Sequence, residues 1–495
     1  MVKIEKLYNK EYLFFILGFA ITLFNTVSMQ QDIVLLLSIP QYLLVFFYIL
    51  KKDYRTAFLL HAVFVTACVS GGIKIEDGVS PFLYIKMAVY GPLTLNRIIL
   101  AILWIQVYRN VVVINKGSLL YSIRNILFYL LVSGGVIGFL GCLLVSHYDW
   151  HFYIVKFLFI IEIFLFVDVF VHIYSDEFSK LFAVIVVCMM AAAPIASVVS
   201  FYVFGIHSYY GYEMMPLYNP ILALSPCLMI ALFQLNNNKL RIIAIIGLIF
   251  YAFHAMILSR GSQFLDIFVA LVLLAYLVYF KKGTNYQLKS LKVFLPVLLI
   301  AFLPFAINEV VLSSDVSSRK FEQFTSLFSI FDFSGDQVAL QFDDIGRSPY
   351  IRVGELANIL HENRQNIFTL LFGKGFGGYY TDSLHFFDHI DLTNGAFSAE
   401  IVAGGRFFSA HSAIPSVLLY NGFVGLFFMF KIALSYLRRV DRSFLVFAAF
   451  VLFIQTFYFD MFGCLSFVMA LFGTEYLIKD SRNKIISNKE IKMKR

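Results

Sequence analysis

Charged residues are scarce in this chain. Only 14% of its 495 residues are Asp, Glu, Lys or Arg and 60% are hydrophobic, whereas soluble domains carry about 25% charged residues. That scarcity excludes an ordinary soluble domain. Cysteine is scarce as well. The five present, Cys68, Cys142, Cys188, Cys227 and Cys464, all fall inside apolar stretches, with no CxxC or zinc-type spacing. A disulfide framework and a structural metal site are thereby disfavoured. Strict alternation of apolar and polar residues is missing, which excludes a transmembrane β-barrel. There is no internal repeat. Lys3, Lys6 and Lys10 precede an apolar run from Tyr12, but no small-x-small cleavage site follows, so this run reads as an uncleaved first span.

What is present is apolar sequence in membrane-sized portions, with a mean hydropathy of +0.80. Runs long enough to cross a bilayer lie at roughly 12–30, 32–50, 55–72, 93–114, 125–146, 152–174, 181–204, 216–235, 240–258, 262–280, 291–311, 413–431, 443–459 and 461–478. The expectation is an all-α polytopic membrane protein of about fourteen transmembrane helices. Gly72–Pro92 is apolar but broken by Lys74, Glu76, Asp77, Pro81 and Lys86, as a re-entrant or interfacial piece would be. The bundle spans about 1–312, a large polar loop about 313–412, three further spans about 413–478, and a basic tail about 479–495.

The net charge of +8 points to membrane orientation rather than to nucleic acid, because of where it sits. With the N-terminus inside, the inner loops hold Lys51, Lys52 and Arg55; Arg109, Lys116 and Arg124; Lys180; Lys239 and Arg241; Lys281, Lys282, Lys289 and Lys292; and Lys431, Arg438, Arg439 and Arg442. The short opposite loops Gln30–Asp32, Ser146–His151 and Phe457–Gly463 hold no Lys or Arg. The positive-inside rule then makes both termini cytoplasmic and the long loop periplasmic in a bacterial inner membrane.

The long loop has helical patterning of its own. Phe324, Leu327, Phe328 and Phe331 suit an amphipathic helix on the membrane surface. Val353, Leu356, Leu360, Ile367 and Leu371 continue at three- and four-residue steps, with Arg352, Glu355, Glu362 and Arg364 off the apolar stripe. Gly373 stops the pattern as a C-cap glycine does. The run GKGFGG, Gly373–Gly378, reads as a tight turn, with Lys374 offering contact to a lipid-linked phosphate. It lacks the P-loop pattern and follows no strand. His385, Asp388, His389 and Asp391 are metal-capable types at close spacing, most simply a polar loop, and no DxD motif is present.

Charges at membrane depth are costly and suggest function. Arg260 and Arg97 lie at the outer ends of two spans, on the side of the long loop. Their guanidinium forks suit phosphate oxygens. Lys156, Glu162 and Asp168 on one span allow internal pairing or a proton relay. His411, after Arg406 at the exit of the long loop, has the chemistry of a general base near neutral pH.

In chain order, Ser259-Arg260-Gly261 ends one span, Arg352 stands before a helix in a large outer loop, the glycine run follows, and His411 opens a span reading NGFVGLF. This order, over Leu258 to Phe428, resembles the O-antigen polymerase (Wzy-type) and O-antigen ligase superfamily. The resemblance implies a GT-C-like fold. It implies an inverting glycosyltransferase that needs no metal or cofactor and uses an undecaprenyl-diphosphate-linked glycan donor at the periplasmic face. Arg260 and Arg352 would bind the diphosphate, with Arg347 competing for the second role, and His411 would assist deprotonation of the acceptor hydroxyl. Here Ser412 follows the histidine where the family often has Asn, and Gly354–Glu355 replaces a common aromatic residue. Fixed arginines can stabilise a departing diphosphate without metal.

The leading expectation is a polymerase whose acceptor is a second lipid-linked repeat unit, with membrane lipid and a chain-length regulator as partners. The alternatives are a ligase acting on lipid A–core and a polysaccharide flippase. The idiosyncratic Phe-, Ile- and Lys-rich sequence favours the polymerase. The orientation has a direct check. Alkaline phosphatase fused within residues 313–412 is expected to be active and the same enzyme fused after Arg495 inactive; the reverse pattern would invert the topology.

Overall fold

The computed structural model describes residues 10–68, 80–111, 119–210, 213–215, 238–258, 347–388, 392, 397–411 and 413–439. Helices dominate. They are α1 (Glu11–Ser28), α2 (Leu35–Leu50), α3 (Tyr54–Thr66), α4 (Leu95–Asn110), α5 (Leu119–Leu144), α6 (Trp150–Ile173), α7 (Asp176–Phe204), α8 (Asn238–Leu258), α9 (Arg347–Asn363), α10 (Ile367–Phe372), α11 (Ala399–Gly404) and α12 (Ala413–Arg439). Two short antiparallel hairpins join them, β1 (Ala88–Tyr90) with β2 (Leu93–Thr94), and β3 (Ser208–Tyr210) with β4 (Glu213–Met215). Among the described residues, five helical segments are long and apolar enough to cross a membrane: Glu11–Ser28, Asp32–Leu50, Tyr121–Leu144, Asp176–Phe204 and Ile414–Lys431. The protein is thus a helical, membrane-embedded chain. The expected spans near 216–235, 262–280, 291–311, 443–459 and 461–478 lie outside the described residues.

Local sequence sets the helix boundaries. Asp53, Asp149 and Ser175 each accept the backbone N–H three residues on, from Thr56, Phe152 and Phe178, as N-caps do. Asp176 and Glu177 then complement the positive end of α7. Gly205, at φ 69°, closes α7 in the left-handed conformation that glycine adopts without strain. The interrupted stretch before Pro92 is tied to the α1–α2 connection. Ser80 N–H donates to the Met29 carbonyl at 2.7 Å and its hydroxyl to Asp32 at 3.1 Å.

Among the five candidate spans described, α7 is the most enclosed, with α1 along one side and α8 along another. Where α1 crosses it, Gly18 has no room for a side chain, since a Cβ would sit 2.8 Å from the Met189 sulfur. Phe58 of α3, Phe166 and Phe170 of α6, and Phe178 and Phe182 of α7 form one cluster of rings.

The two acids of α6, Glu162 and Asp168, meet arginines of other helices, and Asp168 also lies 3.6 Å from His172 one turn on. Glu162 accepts from Arg97 Nε at 2.8 Å and from Asn96 at 3.1 Å, both on α4. Asp168, fully buried, accepts from Arg124 Nε of α5 at 2.7 Å and from Trp104 Nε1 of α4 at 2.6 Å. The sequence allowed pairing within α6. Helical geometry explains the difference, because residues six apart are rotated by roughly 240° and face different neighbours. The ends assigned to one side by the charge pattern also meet. Arg55 Nε donates to the Ile173 carbonyl at 3.1 Å, Lys239 approaches Glu11 at 3.8 Å, and Asp149 N–H approaches the Gly377 carbonyl at 3.4 Å.

Breaking one partner of a buried pair costs about 3–5 kcal/mol. Asp168→Asn is therefore expected to lower the melting temperature of detergent-solubilised protein by several degrees, read by tryptophan fluorescence. An unchanged melting curve would mean that the Arg124–Asp168 pair does not hold α5 to α6.

Candidate functional site

α9 begins with Pro349 in its first turn, where a missing N–H costs no helical hydrogen bond. The apolar pattern suggested a single helix to Leu371. The chain instead breaks at Asn363–Asn366 and restarts as α10, with Asn366 accepting from the Phe368 N–H at 2.8 Å. Gly373, at φ 76°, ends α10.

The two acids that fell off the apolar stripe, Glu355 and Glu362, are turned into the fold, while Arg364 stays exposed. Glu355 and Asn358 are fully buried, and Glu362 is largely so. At spacings of three and four they form a polar stripe, and the 379–388 segment wraps around it. Asn358 donates to Asp382 at 2.7 Å and accepts from Leu384 N–H at 2.9 Å. Asp382 in turn accepts from the N–H groups of Phe386 and Phe387 at 2.9 and 2.6 Å. Gly354 lets this turn approach, because a Cβ there would lie 2.8 Å from the Phe387 ring.

Glu355 is the centre of the arrangement. Its Oε1 accepts from His411 Nδ1 at 2.5 Å and from the Tyr380 hydroxyl at 3.3 Å, and its Oε2 accepts from the His411 backbone N–H at 2.9 Å. Burial, then the neighbouring Glu355 charge, raise the Tyr380 phenol well above its usual pKa, so it stays a donor. The carboxylate holds the proton on Nδ1, and Nε2 becomes the basic nitrogen. The His411 side chain is 31% exposed, whereas that of Glu355 is 0% exposed. The Phe397 ring meets the imidazole edge-on at 4.6 Å. Tyr380 and Phe407 exchange two backbone hydrogen bonds at 3.1 and 2.8 Å, and the Tyr420 hydroxyl and Ser416 hydroxyl of α12 hold the Phe408 and Ala410 carbonyls. The histidine is thus fixed from both sides of its segment.

Arg352 precedes Glu355 by one turn of α9, a rise of about 4.5 Å, and is half-buried. Glu355, one turn on along the same helix, is the residue that meets His411. Arg347 opens α9. Arg260, His389 and Asp391 lie outside the described residues. Arg97 is turned to Glu162 and to the Pro92 carbonyl. His385 and Asp388 meet at 3.1 Å and are exposed. Among the described residues no three His, Cys, Asp or Glu side chains converge as metal ligands.

Lys374 is turned inward, paired with Glu362 and donating to the Tyr379 carbonyl at 2.8 Å. The other Glu362 oxygen takes the Thr381 N–H at 2.7 Å and hydroxyl at 2.5 Å. The glycine run around it is a backbone joint. α12 kinks at Gly422, φ 61°, which interrupts its ladder. Asn363 Nδ2 donates to the Leu418 carbonyl at 3.1 Å, Lys374 N–H to Leu419 at 2.6 Å, and Gly375 N–H to Tyr420 at 3.1 Å. Phe376 N–H continues to the Gly134 carbonyl of α5 at 2.9 Å. Three successive amides of the run, Lys374, Gly375 and Phe376, are thus spent on helix carbonyls, and Gly378 N–H turns back to the Gly375 carbonyl at 3.2 Å. A Cβ on Gly375 would lie 2.1 Å from Gly138 N, so this contact admits glycine alone. Tyr148 closes the joint by donating to the Lys374 carbonyl at 2.9 Å, and burial, with Tyr379 nearby, pushes its phenol up to about 12.

The sequence pattern singles out Arg352 and His411 as candidates but not Glu355, the carboxylate that His411 meets. A signal was present. Glu355, Asn358 and Glu362 keep helical spacing among themselves, as residues lining an enclosed polar face do. No protein-family model matches the chain, and no curated protein matches it in sequence.

Residues sharing one buried network couple by about 0.5–3 kcal/mol. Lys374→Met and Glu362→Leu are each expected to destabilise the protein, and the double variant by less than their sum, in thermal unfolding of the purified chain. Additive losses would show that the pair contributes nothing by itself.

Proposed function

We propose that the protein is an O-antigen polymerase: a glycosyltransferase that joins undecaprenyl-diphosphate-linked repeat units at the periplasmic face of a bacterial inner membrane. The observation that carries this reading is the buried Glu355 carboxylate holding Nδ1 of His411, with Arg352 one helical turn away. The reading includes the finer architecture of about fourteen spans in a GT-C-like arrangement, both termini cytoplasmic, and a chain-length regulator as partner.

In this reading the acceptor hydroxyl attacks the anomeric carbon of the donor sugar from the face opposite the diphosphate. Its proton passes to Nε2 of His411. The sugar C–O bond to phosphate breaks, and its electron pair leaves with the diphosphate. Glu355 stabilises the imidazolium that results, and Tyr380 keeps the carboxylate oriented. Arg352 and Arg260 offset the charge of the departing diphosphate. A flippase has no need of a base held this way, and the pairing of Arg97, Arg124, Glu162 and Asp168 with one another gives those charges a structural role.

Removing a general base costs about 10²–10⁴ in rate. His411→Ala is expected to lower glycan transfer at least 100-fold by this measure, Arg352→Ala by a comparable factor, and Glu355→Gln by about 10–100-fold, with normal amounts of protein in the membrane. The readout is the lipopolysaccharide ladder of a strain carrying each variant. Loss of the ladder with single-repeat-capped core retained identifies the polymerase reaction, while loss of all capped core assigns the same site to a ligase. A wild-type ladder from His411→Ala would sink the site.

A further inference from the structure

We infer that the segment Asn363–Phe376 dips into the bilayer, returning at Gly377 to the level of Asp149, and that α10 presents Ile367, Phe368 and Leu371 to lipid hydrocarbon. Sequence patterning had set the loop helices on the membrane surface. The inference concerns where this segment lies, and it stands apart from the reaction proposed above.

Two helices give the depth independently. On α12, whose apolar span runs Ile414–Lys431, Asn363 hydrogen-bonds the Leu418 carbonyl, and the Leu371 carbonyl packs where a Cβ on Gly422 would lie, 2.5 Å away. At 1.5 Å per residue these contacts are ~6 and ~12 Å inside the start of the span. On α5, which ends at Leu144, Phe376 N–H bonds to Gly134, and the Gly375–Phe376 backbone abuts Gly138. Those positions are ~15 and ~9 Å inside that end. Half the hydrocarbon core is ~15 Å thick, so both estimates set the segment below the headgroups.

The side chains follow this descent. Arg364, Gln365 and Asn366 are exposed where the chain enters, and the long arginine stem can carry its charge up to the headgroups. Immediately beyond, the exposed residues are Ile367 at 68%, Phe368 at 51% and Leu371 at 39%. The backbone obeys the membrane rule too. Irregular chain is tolerated at this depth only where protein meets its polar groups, and the carbonyls freed by the Gly422 kink are met by Asn363, Lys374 and Gly375. Lipid chains are the occupant that this depth and polarity fit.

Single cysteines at 367, 368, 371 and, for reference, 385 would be nitroxide-labelled in the full chain in phosphatidylethanolamine–phosphatidylglycerol liposomes, with the signal of the unaltered chain subtracted. Collision with oxygen, which partitions into hydrocarbon, is expected to exceed collision with a water-soluble nickel chelate several-fold at 367, 368 and 371, and the order to reverse at 385. Dominance of nickel on α10 would make its face aqueous, and weak collision with both reagents would mean that protein covers it; either overturns the inference. As a check free of substitutions, a phospholipid with a diazirine on its acyl chain is expected to label the peptide containing α10 in the unaltered protein. Absence of label there, with label on α2, would also overturn it.

Discussion

A helix that breaks inside a membrane-length segment leaves carbonyls that lipid cannot hydrogen-bond. α12 breaks in this way at Gly422, and the repair organises the rest of the site. Asn363, Lys374 and Gly375 each cap one of three consecutive carbonyls, the first through its side chain and the others through backbone N–H, so the loop is bolted to α12. Phe376 extends the joint to α5, where Gly134 and Gly138 leave room for it. An unmet buried backbone group costs about 1–3 kcal/mol, so loop and kink are stable only together. This fixes the end of α9 relative to the start of α12, and with them the distance from Glu355 to His411.

The same logic accounts for charge in the bundle. α6 carries its acids on turns that face different neighbours, and each acid finds an arginine on another helix, Arg97 of α4 or Arg124 of α5. Such pairs repay their desolvation only with good geometry and further hydrogen bonds, which Asn96 and Trp104 supply. They tie α6 to α4 and to α5.

Much of the fold is legible in the sequence because helical membrane segments are set by local properties. Span length marks the described helices to within several residues of where the structure has them. His411 and Arg352 stand out by residue type and position in the chain. Glu355 does not, because a carboxylate off an apolar stripe looks the same whether water or a folded-back loop covers it. Glu362 and Lys374 posed the same ambiguity. The glycine run reads as a tight turn from composition, but composition does not tell that the N–H groups of Lys374, Gly375 and Phe376 reach carbonyls of two other helices.

By itself, the sequence determined that this chain is helical and membrane-embedded, and roughly where its described spans lie. These follow from hydropathy and residue spacing, which act over a few residues or one span. Only the tertiary structure decided the partners: Glu162 with Arg97, Asp168 with Arg124, Glu362 with Lys374, and Glu355 with His411. Periodicity tells which residues share a helix face but not what that face meets, and in a low-dielectric interior the identity of the neighbour decides whether a charge is a cost or an anchor.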